Sequence, residues 1–220
     1  MSLDLAYDDG QSAVAEAVGQ FCTEHVSDAV VRGALNNFDK SLWRRFSELG
    51  VFLAAEPAGE AGAIELCAAM EVLGDANFPG PLVSTCVAVH ALPEAERAGL
   101  LDGTEVAALG EPPVLGWAEV ADVFLIHKEG RLYRAKRRGE VEPLETLGGE
   151  SWGRVDLEAG EALSRSAAAL NLGEMTLASY LVGAGRRIIR EAAEHAATRQ
   201  QFGRPIGEFQ AVSHPLAASW

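Results

Sequence analysis

The chain has 220 residues, 48% of them hydrophobic, and a formal net charge of −14 at neutral pH. The apolar share is enough for a real core and excludes a disordered chain, while the acidic balance excludes the cationic footprint that nucleic acid binding requires. No apolar run reaches bilayer-spanning length, and the start "MSLDLAYDDG" lacks the basic and apolar regions of a secretory signal, so a cytoplasmic protein is expected.

The first ninety residues read as helices. In "GQSAVAEAVGQFCTEHV", Val14, Val18, Phe21, Cys22 and His25 recur at helical spacing, with Asp8 and Asp9 near the positive end of the helix dipole. "DKSLWRRFSELG" predicts a short second helix with the stripe Leu42, Phe46 and Leu49, a cap at Asp39 or Ser41, and a stop at Gly50. "EPAGEAG" is a loop. "AIELCAAMEVLG" predicts a third helix ended by Gly74, and "PLVSTCVAVHAL" a fourth that is apolar nearly all round and therefore buried. Cys22, Cys67 and Cys86 lie within these apolar stretches and form no CxxC pair, so free buried thiols are expected, and no metal site.

The pattern changes near Leu101. "TEVAALG", "ADVFLIH", "RLYRAKR", "GEVEPLETL" and "SWGRVDLE" read as short strands, with a hairpin turn at Lys128-Glu129-Gly130. Six cations crowd into "HKEGRLYRAKRR"; the simplest reading is a solvated edge, the sharper one a contact to a ligand phosphate. From about Glu161 a helical pattern resumes. Leu177, Leu181, Ala184, Ile188, Ala192 and His195 keep three-and-four spacing, so this long helix must lie in a bundle or at an interface. His90 and His195 sit on apolar faces and read as packed residues. The fold class is therefore α+β: an N-terminal helical domain (1–100), a reduced β-domain (101–160) and the first helices of a C-terminal bundle (161–220).

The segment 198–210, "TRQQFGRPIGEFQ", gathers two arginines, an aromatic and an amide around a glycine-proline break. Gly203 is a natural helix stop and Pro205 forbids continuation, so on its own the segment reads as helix, tight turn and next helix. Arg199 with Gln210 nearby also suits a pyrophosphate and the edge of a heterocycle.

This stretch, extended to "RQQFGRPIGEFQAVSHPLA", resembles the signature of acyl-CoA dehydrogenases, FAD-dependent enzymes that desaturate acyl-CoA thioesters. "SLWRRFSELGVFLAAEP", "LLDGTEVAALGEPP" and "LASYLVGAGRRIIREAAEHAATRQQFG" resemble further segments of that family in the same order. The resemblance implies a helical–β–helical fold and an FAD site shared across a subunit interface. By position, Arg199, Phe202 and Gln210 reach the FAD of the neighbouring subunit. It also implies an acyl-CoA substrate, and a partner that is either a paralogous subunit or a second copy, in a dimer or tetramer.

Departures from the family pattern sort the possibilities. A glycine-serine stretch and a tryptophan-hydroxyl segment that meet the flavin ring in the family have no counterpart here: "GEPPVLGWAEVADVF" runs straight on, and Trp117 and Trp152 read as packing residues. The family's catalytic carboxylate lies on a late segment or, in a minority, at a position that falls here on Gly173. Glu174 beside it is the only candidate base, turned by about 100° from that position. The bundle is only begun, which predicts a fragment or the ordered part of a longer chain. Three functions stay open: a self-sufficient dehydrogenase, a subunit that supplies the nucleotide side of a partner's FAD site, and an interaction-only subunit without flavin.

Overall fold

The computed structural model describes residues 6–34, 37–57, 62–147 and 151–219. Helix α1 (Asp9–His25) starts at a reciprocal cap: the Asp8 carboxylate accepts the Gln11 N–H at 2.9 Å, and the Gln11 side-chain oxygen accepts the Asp8 N–H at 3.0 Å. A short α2 (Asp28–Ala34), which the periodicity did not reveal, follows Ser27, whose hydroxyl accepts the Val30 N–H. In α3 (Lys40–Ser47) the Asp39 carboxylate accepts the N–H groups of Ser41 and Leu42 at 2.9 and 3.0 Å. Leu42 and Phe46 are buried as expected. Leu49 is not; the helix stops at Ser47, Leu49 falls beyond it on the surface, and Trp43 is buried instead.

The chain turns at Gly50 (φ 78°) into a 3₁₀ segment, Val51–Ala55, and continues to α4 (Ala63–Asp75) and α5 (Leu82–Ala91). Most of "EPAGEAG" lies outside the described residues. Phe46 is the hub of an aromatic cluster, its ring 4.5 Å from Phe78, 5.6 Å from Phe52 and 5.9 Å from Phe21. Arg97 is buried beside this core. Its guanidinium donates to the Leu92 carbonyl at 2.9 and 2.7 Å and pairs with Glu56 at 3.4 Å, which removes the penalty of an unpartnered buried charge.

After a short α6 (Ala98–Leu101) come five strands: β1 (Ala107–Gly110), β2 (Val114–Gly116), β3 (Val123–Lys128), β4 (Arg131–Leu144) and β5 (Trp152–Ala162). Their spatial order is β1-β3-β4-β5-β2, parallel only between β1 and β3. The hairpin at 128–130 is as expected: Glu129 and Gly130 both have positive φ, the two-residue turn whose twist matches antiparallel strands. "RLYRAKR" and "GEVEPLETL" prove to be one strand. A register shift between Arg138 and Glu142, with Gly139 at φ 75°, absorbs the irregularity that reads as a break. Alternation along β3 divides the core. Val123 and Leu125 join the helices, while Phe124 and Ile126 face a second cluster with Ala108, Leu115, Ala135 and Val155.

Helix α7 (Ser166–Thr198) has 33 residues, about 50 Å. Its packed face carries Ala169, Leu172, Gly173, Thr176 and Gly183 and lies on α4 and α5. The stripe read from the sequence is a different face: Leu177 is 46%, Leu181 58% and Ile188 67% exposed, and His195 is exposed too. Small residues make the contact because the backbones nearly touch. A β-carbon at Gly183 would sit 1.9 Å from the Glu71 carbonyl oxygen, and one at Gly74 equally close to that of Tyr180. Gly74 is thus a crossing residue inside α4, not its terminator. Arg186 pairs with Glu71, and Arg190 with Asp75 at 2.8 Å, across the same crossing.

Candidate functional site

The corner after α7 begins where Thr198 returns its hydroxyl to the Glu194 carbonyl and Arg199 turns extended (φ −69°, ψ 121°). A miniature hairpin follows. β6 (Gln200–Gln201) pairs with β7 (Arg204–Pro205), and the two residues between them, Phe202 (φ 53°) and Gly203 (φ 81°), both lie in the left-handed region. Gly203 therefore does not stop the helix, which ends five residues earlier; it is the second central residue of a hairpin turn. Pro205 is tolerated because this strand is an edge.

The Ile206 N–H donates to the Arg199 carbonyl at 2.8 Å and closes the loop. A 3₁₀ turn (Ile206–Glu208) then packs on the end of α7, where a β-carbon at Gly207 would lie 3.1 Å from the Ala196 carbonyl. Phe209 leads into α8 (Gln210–Ser219), its carbonyl accepting the N–H groups of Val212 and Ser213 at 2.9 and 3.0 Å.

This geometry brings Arg199, Phe202 and Gln210 onto one outward corner. Phe202 is 92% exposed, and Arg199 and Gln210 are exposed as well. Arg199 has no side-chain hydrogen bond or ion pair among the described residues. Arg204 differs: its guanidinium lies over the Phe209 ring, 4.1 Å from the centroid, and 3.8 Å from Glu208. Phe202 and Phe209 meet edge to face, centroids 6.1 Å apart at 84°. Sequence reasoning passed over Arg204 and Phe209. The Arg204/Glu208 spacing and the second phenylalanine were the available signal.

The other candidates stand apart. Gly173 is buried against α5, where a β-carbon would come within 2.6 Å of Val87 Cγ2, so no side chain fits at that position without a shift. Glu174, the candidate base, is exposed on the outer side of α7, about 36 Å along the helix from its end. Glu111–Pro113, three residues, join β1 to β2, and Trp117 packs edge-on against Phe38 at 5.7 Å. Of the β4 cations, Arg138 pairs with Glu158 at 2.8 Å and Arg134 with Glu96 at 3.3 Å, while Lys136 lies opposite Glu158 in the ladder. The open concavity there, about 850 Å³, mixes Arg134, Lys136 and Arg137 with Asp122, Glu158 and Glu161 and forms no cationic cradle. His90 is held by the Ala55 carbonyl oxygen, 2.9 Å from its Nδ1. Cys22 and Cys86 are buried, which pushes the Cys22 thiol up to about 11, and Cys67 is half-buried.

Comparison with known proteins agrees with this architecture. Residues 162–220 match the family model "Acyl-CoA dehydrogenase, C-terminal domain". Over 218 residues the chain is 32% identical to acyl-CoA dehydrogenase IpdE2 of Mycobacterium tuberculosis, an alignment covering 92% of this chain and 68% of that relative. The chain belongs to the acyl-CoA dehydrogenase family. Among solved structures, the ChsE4-ChsE5 complex from Mycobacterium tuberculosis superposes with a TM-score of 0.76 at 24% identity, over 98% of this chain and 74% of the other. The FAD complex of PigA gives 0.73 at 19%, over 99% and 76%. Both likenesses are of fold. Among the described residues, no helix is long and apolar enough to cross a membrane.

Proposed function

We propose that this chain is a subunit of an FAD-dependent acyl-CoA dehydrogenase and supplies the nucleotide side of an FAD site seated in a paralogous partner. The observation that carries this reading is the α7–α8 corner. A cation with no ion pair among the described residues, an amide and a 92% exposed phenylalanine point outward from it. Arg199 suits a pyrophosphate, Gln210 the edge of a heterocycle and Phe202 a flat ring. When bound, the flavin would accept the hydride released as the acyl-CoA is desaturated.

Two features favour a flavin in trans. The three-residue β1–β2 connection leaves little backbone to line a flavin ring in this chain. Glu174, the candidate base at the start of α7, is about 36 Å along the helix from the corner, so the two do not serve one flavin within this chain. The likeness to a two-chain complex suits this arrangement, and the substrate class belonging to the same reading is a fatty acyl or steroid acyl thioester. The division into a helical part (1–100), a β-part (101–160) and a started bundle (161–220) belongs to the same reading.

The test is the visible spectrum of the chain purified alone and after co-expression with its paralogue. Flavin absorbance in the co-complex only is expected. A yellow, dye-reducing chain by itself would mean a self-sufficient enzyme, and no flavin in either preparation would mean an interaction-only subunit.

A further inference from the structure

We propose that Phe209, held by Arg204, is a positioning residue that sets Phe202 for its contact before any cofactor arrives, and that the two arginines of the corner divide the work. This rests on the flavin reading of the corner. Phe202 occupies a turn position with positive φ, one that asparagine and glycine fill easily and a bulky side chain does not. Its ring gains almost no burial in return. The contact that orients it is the edge-to-face meeting with Phe209, at 6.1 Å and 84°.

Phe209 is itself fixed. The Arg204 guanidinium covers its ring at 4.1 Å and is steadied by Glu208 at 3.8 Å. Gly207 lets the intervening 3₁₀ turn approach the backbone of α7 at buried Ala196, and the Ile206 N–H ties it to Arg199. Arg204 is thus engaged within the chain, whereas Arg199 has its charge free for an anion. The corner is preorganised on α7 alone, so its ordering cost is met before binding.

The experiment places 4-fluorophenylalanine at position 202 of the full chain and reads its ¹⁹F NMR shift. The fluorine should be displaced by the Phe209 ring current. Phe209→Leu should return it to the value of the free amino acid, Arg204→Ala should move it part-way, and Arg204→Lys should restore it. In the co-purified two-subunit assembly, Arg204→Ala should weaken FAD retention several-fold while leaving its salt dependence unchanged. Arg199→Ala should weaken retention and flatten the salt dependence, because it removes a charge pair open to screening.

An unmoved fluorine in both Phe209→Leu and Arg204→Ala would overturn the positioning role, as would an Arg204→Ala variant that flattens the salt dependence. If the fluorine responds as expected and no variant alters FAD retention, the intramolecular geometry stands and the flavin reading falls.

Discussion

Helix α7 is used in opposite ways at its middle and at its C-terminal end. Around its middle it crosses α4 so closely that Gly74 and Gly183 have no room for a methyl group, and arginines bind the crossing to α4 acids. At its far end a strained hairpin holds an aromatic ring and a free cation out into solvent. Within one helix, the satisfied middle builds the scaffold and the unsatisfied end is available for recognition. The strain at Phe202 is the more informative because, among the described residues, its ring meets a single aromatic partner.

The comparison breaks if scaffold substitutions leave stability intact or corner substitutions destroy it. Phe46→Ala, at the hub of the aromatic cluster, should cost about 4 kcal/mol in denaturant unfolding. Gly183→Ala should cost about 3 kcal/mol, because backbone on α4 must move and the gain in helix propensity offsets only part of that. Arg199→Ala should change unfolding by less than about 0.5 kcal/mol, yet weaken flavin retention in the assembly by about 2 kcal/mol, roughly thirtyfold.

The smallest effect concerns Asp102. The hydroxyl and N–H of Thr104 donate to it at 2.6 and 2.9 Å and hold its carboxyl below the ordinary value of 3.8. A depressed folded pKa stabilises above that value, and the gain is lost as pH falls through the folded pKa. Thr104→Val should therefore lower stability slightly at pH 7, by under about 0.5 kcal/mol, and by less at pH 2. An equal loss at both pH values would assign the effect to packing.

Much of the fold was legible because hydrophobic period, caps and turns agreed. The acidic start of α1, the Asp39 cap, the turn at Lys128-Glu129-Gly130 and the buried α5 all follow from local chemistry. The failures share a cause, the tertiary partner. The apolar stripe through Leu177, Leu181 and Ile188 has the right period but is not the face on α4, since that contact selects small residues over large ones. Gly74 read as a stop because close approach and termination both call for glycine. At the corner the sequence pointed to Arg199, Phe202 and Gln210 as a group. It gave no role to Arg204, which differs from Arg199 in being held over the ring of Phe209 and beside Glu208.

The most direct measurement is the flavin-to-protein ratio of the co-purified assembly, wild type against Arg199→Ala, after gel filtration at moderate salt. The variant assembly should elute at the same size with most of its FAD gone. Equal flavin content in the two would contradict the account and reduce the corner to a helix ending.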